Sequence, residues 1–305
     1  MPAHFERHVL LLGHGTIEQP QDIPAFLSNI RRGRPSPPEL VEEIGRRFRA
    51  IGGSPLLRIS RELARALASA SSMQVHLAMR FWHPFLKDVL REVAATTCDE
   101  LVVVPLAPYS GSLYASEVTR LGDQLRADGV RVPALRCAPS WGTETHLIGA
   151  FAAALAGTLT SLPDERRAAA RVFFTAHSLP VAVIREGDTY AAEVAATARA
   201  VAERAGLELG HRVVYQSQGA TSDPWLGPDV HTSLRDAAAE GVRDVVICPI
   251  GFLSDHVEVL YDLDIEAKGW ADALGIALLR TPSLNVTPHL VAALGAVVAS
   301  TSAAD

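Results

Sequence analysis

Three blocks of this 305-residue chain occur twice in the same order, and that repetition restricts its fold more than any other feature. Val172-Phe-Phe-Thr-Ala-His177-Ser178 matches Val9-Leu-Leu-Leu-Gly-His14-Gly15, each an apolar run ending in a histidine between small residues. Pro84-Phe-Leu-Lys-Asp-Val89 matches Pro224-Trp-Leu-Gly-Pro-Asp-Val230, and Asp99-Glu-Leu-Val-Val-Val-Pro-Leu106 matches Arg243-Asp-Val-Val-Ile-Cys-Pro-Ile250. A serine follows the third block in both copies, Ser110 and Ser254. The apolar runs have the length and β-branched content of strands covered on both faces, and helical stretches alternate with them, so each copy is an α/β lobe with a parallel sheet. The expected lobes are 1–155 and 156–305, joined in the 140–165 region, where a helix over 144–158 precedes the Pro163-Asp-Glu-Arg-Arg167 loop. Two lobes imply a cleft between them, into which His14 and His177 would project from corresponding strand ends.

The richest stretch is Val245 to Glu266. A buried strand, Val245 to Ile250, is punctuated by Pro249 and Gly251; a helix capped by Ser254 or Asp255 should follow, with Glu258 at the capping-box distance from Asp255. On a regular helix Asp255, Glu258, Asp262 and Glu266 form one stripe. An acidic stripe is most often a solvated face. This one begins at the carboxyl end of a buried strand, where open α/β sheets place their ligand crevices, and its first turn is flanked by apolar residues. Such a row of oxygen ligands suits a divalent cation or protons.

Earlier in the chain, a loop runs from Gly13 to about Pro38 and carries Arg31, Arg32 and Arg34 around Gly33, a cluster that would suit carboxylates on a ligand. A helix follows over 38–51. After Gly52-Gly53, Ser54 as N-cap and Pro55 as first helical residue open a helix to about Ala70, and the glycines let a ligand approach the backbone.

Net charge is −6, with both signs interspersed, which argues against a nucleic-acid partner and for a small-molecule one. The Ala-rich stretches 147–159 and 290–299 are too short to span a bilayer, and the N-terminal region lacks signal-peptide organisation, so a cytoplasmic location without a transmembrane segment is expected. Cys98, Cys137 and Cys248 are far apart and form no C-x-x-C, indicating neither a disulfide framework nor a zinc site.

Ile30-Arg-Arg-Gly-Arg34, Ile51-Gly-Gly-Ser-Pro-Leu56, Thr175-Ala-His-Ser-Leu-Pro180, Gln216-Ser-Gln-Gly-Ala220, Asp223-Pro-Trp-Leu-Gly-Pro-Asp229 and Gly251-Phe-Leu-Ser-Asp-His-Val-Glu-Val-Leu-Tyr-Asp262 together give the sequence a close resemblance to soluble bacterial ferrochelatases. The resemblance covers nearly the whole chain. It implies two Rossmann-like lobes without a nucleotide site, and insertion of ferrous iron into a porphyrin, coproporphyrin III or protoporphyrin IX, held in the cleft. By the same resemblance His177 and Glu258 are the catalytic pair and metal site, and Asp262 and Glu266 lead metal or protons to or from the centre. Arg31, Arg32, Arg47 and Ser54 lie where the porphyrin's propionates and edge are held, and Trp225 supports the cleft wall. His14 stands where coproporphyrin-type members often have a tyrosine able to ligate product iron. Some relatives bind a [2Fe–2S] cluster through four cysteines; three scattered ones cannot supply that set, so no cluster and no resident cofactor is expected, iron being a substrate. Transient contact with other haem-pathway enzymes is a further expectation.

Metallation requires Fe²⁺ to shed water and two pyrrole protons to leave. A histidine titrating near neutrality suits the proton, and a neighbouring carboxylate stabilises the imidazolium. Two other readings are a non-catalytic haem or tetrapyrrole carrier, which would need no acidic conduit, and a chelatase for another divalent metal, since nitrogen and carboxylate ligands accept several.

Overall fold

The computed structural model describes residues 5–207, 210–219 and 223–302. In chain order β1 (Arg7–Gly13) leads to α1 (Ile23–Ile30), α2 (Pro38–Ala50) and α3 (Leu56–Ser71); β2 (Gln74–Met79), α4 (Leu86–Ala94), β3 (Glu100–Pro105), α5 (Gly111–Ala127) and β4 (Ala134–Cys137) follow. Next come α6 (Thr145–Thr160), α7 (Asp164–Ala169), β5 (Arg171–His177), α8 (Val181–Arg185), α9 (Tyr190–Arg204), β6 (His211–Gln216), α10 (Val230–Ala239) and β7 (Asp244–Cys248). The last elements are α11 (Val257–Leu260), a π-helical turn Asp262–Ala267, α12 (Lys268–Ala273), β8 (Ala277–Arg280) and α13 (Pro288–Ser302).

Among the described residues eight strands form two four-stranded, wholly parallel sheets, ordered β2-β1-β3-β4 and β6-β5-β7-β8, as the repeated blocks imply. In each sheet the two central strands are buried along nearly their whole length, which is why they read as unbroken apolar runs, and the flanking strands are partly exposed. The order means that the chain winds away from β1, and from β5, in opposite directions. The loops at the carboxyl ends of β1 and β3, and of β5 and β7, therefore part and leave room for side chains.

The amino ends of the sheets do another job. Buried Glu100 opens β3 between Arg7 and Arg136, whose Nε lies 2.6 Å from it, and buried Asp244 opens β7 against Arg166, whose Nε donates over 3.1 Å. These acids anchor the ends of the sheets opposite to those that carry His14 and His177.

The structure corrects the middle of the second repeated block. The Pro84 carbonyl accepts from Met79 N at the end of β2 (2.7 Å) and Phe85 bridges to Met79; the Pro228 carbonyl accepts from Tyr215 N in β6 (2.8 Å) and Asp229 bridges to Tyr215. The counterpart of Pro84 is thus Pro228, not Pro224. A fourth repeat also emerges: Ala134-Leu-Arg-Cys-Ala-Pro-Ser140 on β4 matches Ala277-Leu-Leu-Arg-Thr-Pro-Ser283 on β8, and His146-Leu147 then matches His289-Leu290.

That repeat bears on the unit boundary. One compact unit comprises 1–141 with 285–305, and the other 142–284, rather than units divided at 155. The cause is packing: α6, which follows β4, packs on α9 and β7, while α13, which follows β8, packs on α3, β3 and β4. Each unit thus completes its layer with the helix that follows the other unit's last strand.

Two local expectations also shift. The stretch before Pro38 contains α1, whose Ile23, Phe26 and Leu27 are buried at helical spacing; Pro24 masks this in the sequence yet sits in the first turn, where proline is tolerated. Helix α3 starts at Leu56, one residue later than expected, with the Pro55 carbonyl accepting from Ile59 N (3.0 Å) and Ser54 Oγ a long 3.4 Å from Leu56 N.

Candidate active site

Strand β5 ends in Thr175-Ala176-His177 because the loop after β7 presses directly on it. Gly251 N donates to Thr175 O (2.9 Å), and a Cβ at Gly251 would fall 2.6 Å from Ala176 Cα, so a larger residue at 251 would force the loop off the strand. The His177 backbone is held from two sides: its carbonyl accepts from Tyr190 Oη (2.9 Å), and Ser178 N donates to Gln216 O on β6 (2.7 Å). The imidazole is about a third exposed, and its Nδ1 lies 3.0 Å from Glu258 Oε2.

Glu258 comes from the start of α11, on the other side of the same sheet end. The expected capping box is absent. His256, not Asp255, is the N-cap residue, without a side-chain cap bond, and Asp255 instead accepts from Ser283 Oγ (2.6 Å). Gln216 Nε2 donates to the Glu258 carbonyl (2.6 Å), linking β6 to α11. His256 Nδ1 is bonded to the Ser254 carbonyl (3.0 Å) and its Nε2 stands 3.9 Å from Glu258 Oε2. Glu258 therefore lies near two imidazoles.

The helix that should carry the acidic stripe is not regular. After four residues of α11 it widens: Glu266 N donates to Tyr261 O (2.9 Å), five residues back, and a π-helical turn spans Asp262–Ala267. Asp262 turns inward, buried, and accepts a short bond from Ser217 Oγ. Ser217 adopts a left-handed backbone (φ 59°), which costs an L-residue about 1–2 kcal/mol, and the bond to Asp262 helps hold it there. Asp264 points the other way, to Arg280, and Glu266 is half-buried on the next turn. The stripe thus resolves into Glu258 and Asp262 on one side, Glu266 further along, and Asp255 elsewhere. Among the described residues no three His, Cys, Asp or Glu side chains converge closely enough to enclose a metal ion, so these acids form a line rather than a cage.

Electrostatics couple the pair. Burial pulls the His177 pKa down, but the Glu258 carboxylate, its hydrogen bond and the charge of Asp262 outweigh that and hold it above the ordinary 6.5. Burial likewise raises the Glu258 pKa, yet His177 and then His256 bring it well below the usual carboxylate value. With an ionised Glu258 accepting from Nδ1, the neutral imidazole carries its proton on Nδ1 and its lone pair on Nε2.

The remaining expected site residues lie on their own elements. Trp225, half-buried, bridges to Pro180, and its ring lies against Gly219, where a Cβ would come within 2.7 Å of it. Ala220, the last residue of the Gln216 motif, lies outside the described residues. In the first unit His14 directly follows β1, whereas His177 is the last residue of β5; His14 is exposed and packs on Phe81, ring centroids 4.7 Å apart. Arg31 ends α1, half-buried, and its Nε is buried without a hydrogen-bond partner among the described residues; Arg32 is exposed, with φ 55°. Arg47 Nε donates to Glu43 (2.7 Å), whose pKa Arg46 and Arg47 hold down at about 2, so part of its charge is already matched. Ser54 sits half-buried before α3.

Sequence reasoning missed Tyr190, Gln216, Ser217 and His256 as parts of the site. The motifs contained the last three, but nothing local showed that Gln216 and Ser217, at the end of β6, would reach a helix some forty residues on.

The ferrochelatase family model matches residues 6–302. A ferrochelatase of Herpetosiphon aurantiacus is 35% identical over 302 residues, covering 95% of this chain and 97% of that one. A coproporphyrin III ferrochelatase of Nocardia farcinica is 36% identical over 296 residues, 92% of this chain and 84% of that one. Among solved structures, SirB from Bacillus subtilis with Fe³⁺ superposes with a TM-score of 0.58 at 11% identity, covering 98% and 96% of the two chains, a likeness of fold.

Proposed function

The chain belongs to the ferrochelatase family and is an enzyme of haem biosynthesis that inserts iron into a porphyrin; from that premise we propose that His177 and Glu258 are its metal-insertion centre. The observation that carries this reading is the 3.0 Å contact between His177 Nδ1 and Glu258 Oε2, with Asp262 close behind. Glu258 fixes the tautomer and leaves the Nε2 lone pair as the group that meets a pyrrole N–H or the incoming ion. When Nε2 takes a proton, the imidazolium forms beside a carboxylate that stays ionised, so the charge is stabilised where it appears.

Ferrous iron is a substrate here, and nitrogen with carboxylate donors suits it without excluding neighbouring divalent metals. The linear arrangement of Glu258, Asp262 and Glu266 fits an ion that must pass on: a closed cage would hold it. Arg31 and Arg32 are proposed to meet the porphyrin's carboxylates, and His14 to meet the iron of the product. The reaction needs no resident cofactor, and the three cysteines carry no cluster. A cytoplasmic location fits the reading, and no helix of the described residues is long and apolar enough to cross a membrane.

The test is anaerobic incubation with Fe²⁺ and, separately, coproporphyrin III and protoporphyrin IX, followed by absorbance spectra. Metalloporphyrin bands from at least one porphyrin, catalytic in enzyme, are expected, and the ratio of rates identifies the substrate. One equivalent of bound tetrapyrrole without turnover would instead establish the carrier, and turnover with Co²⁺ or Ni²⁺ but not Fe²⁺ a different chelatase.

A further inference from the structure

One cation brackets the acid-bearing segment from its outer side. Arg280, the last residue of β8, is fixed to the sheet by the register of Ile247 with Arg280. Its Nε and Nη2 donate to the two carboxylate oxygens of Asp264 (2.6 and 2.8 Å), a bidentate pair inside the widened turn. Its Nη2 also lies 3.8 Å from Asp255 Oδ1, and its Nη1 donates to Thr281 O (2.9 Å) and reaches Ser283 Oγ at 3.4 Å. Ser283 Oγ in turn donates to Asp255. The Arg280 side chain is only 16% exposed. Asp255 precedes α11 and Asp264 lies in the turn after it, so the two carboxylates gathered by Arg280 flank the stretch that bears Glu258 and Asp262.

Residues two apart on a helix point to nearly opposite sides. Holding Asp264 outward therefore sets the rotation that turns Asp262 inward. The first unit supplies an internal contrast: the position corresponding to Arg280 on β4 is Cys137, and the corresponding helix α5 runs as a regular helix over Gly111–Ala127.

We infer that Arg280 is a positioning residue for the metal-insertion centre, stapling Asp264, and through Ser283 and its own charge Asp255, so that the widened turn presents Glu258 and Asp262 to His177. This rests on the reading of His177 and Glu258 as that centre. The role of Arg280 is through the turn it holds, not through contact with a substrate, since the partners of its guanidinium are Asp264, Asp255, Thr281 and Ser283.

The test uses the full chain with Arg280→Gln, Asp264→Asn and the double variant, each assayed with iron varied at saturating porphyrin and porphyrin varied at saturating iron. Amide hydrogen exchange over 261–267 is followed alongside. Each single variant should raise the apparent Michaelis constant for Fe²⁺ about tenfold or more, as loss of a ligand's supporting contact does, with little change in that for porphyrin. Exchange at the Glu266 amide should quicken, and the double variant should be no worse than the singles, because all remove one pair. An unchanged iron constant, with or without faster exchange, overturns the proposal. Asp264, 37% exposed and replaced by an isostere, keeps the test open if Arg280→Gln does not accumulate as folded protein. His177→Ala separates the two claims: if it is inactive while Arg280→Gln behaves as wild type, the staple fails alone, whereas normal turnover in His177→Ala means that the centre itself is misassigned.

Discussion

The crossovers β3–α5–β4 and β7–α11–α12–β8 occupy the same place in two sheets of the same order, and they differ in both backbone and side chains. In the first, Ser110 leads straight into a regular helix, and the residues at the same distances from it as Glu258 and Asp262 from Ser254 are Tyr114 and Val118, both in the core. In the second, the helix starts late, widens to a π-helical turn and puts carboxylates at those positions. A crossover at this place in the sheet can therefore pack without a widened turn, as Tyr114, Val118 and Leu125 of α5 do in the first core. π-Helical segments concentrate at functional sites because they re-aim side chains at a cost in backbone geometry. One sheet order thus carries two different crossovers, and the second keeps an apolar side in the core, through Val259, Leu263, Ala267 and Ala271, while adding an acidic line.

The largest effects should break the symmetry between the two histidines. His177→Ala and Glu258→Gln are expected to lower turnover by roughly 10²–10⁴-fold, the usual worth of a general acid–base group, whereas His14→Ala should permit insertion and alter the absorbance spectrum of the product complex. Equal losses at both histidines in steady-state assays would mean that the units share the chemistry.

Next in size is the double variant Arg31→Ala, Arg32→Ala. Charge-assisted bonds to propionates are worth about 1.5–3 kcal/mol each, and Arg31, half-buried, should account for more of the loss than exposed Arg32. Porphyrin binding followed by fluorescence quenching checks this; unchanged affinity would move the anionic edge elsewhere. Smaller again is Glu266→Gln, expected to raise the apparent Michaelis constant for iron several-fold and leave that for porphyrin alone. Wild-type behaviour across an iron titration would make Glu266 part of a solvated face.

The subtlest effect is on pH dependence. His177 must be neutral to accept a proton, and its pKa is raised, so the acid limb of kcat/KM should lie above 6.5 and activity should be lost as pH falls through it. In Glu258→Gln the anion is gone and burial then dominates, so the imidazole of 177 should titrate at lower pH. Proton NMR of that ring in the metal-free protein reads the shift even where turnover is too slow to measure.

Much of this was legible from the residues. Central strands announced themselves because burial on both faces leaves only apolar residues, and the paired histidines fell on matched strand ends. What stayed hidden had physical causes. Edge strands β4 and β8 are four residues long and half-exposed, so their repeat carries little hydrophobic signal. Pro24 disguised α1. The π-helical turn has no signature in side-chain spacing, being a change of backbone partner at Tyr261 O, and Asp255 left the stripe because the helix starts only after His256, leaving Asp255 to Ser283. Gln216 and Ser217 reach Glu258 and Asp262 only through the sheet, a relation that local pattern does not encode.

The exchange of helices after the last strands also orders events in time. A ribosome delivers the whole of the second unit, 142–284, before it delivers α13, whose Leu290, Ala293, Leu294, Val297 and Val298 are buried in the first. Domains tend to fold as they emerge, but here the unit begun first is finished last, so its face over α3 and β3 stays uncovered until α13 is made. A released chain ending at residue 284 should protect Glu258 from a protease and leave α3 open to it. The first unit is the one that waits, and a chaperone acting on this chain would meet its apolar surface there.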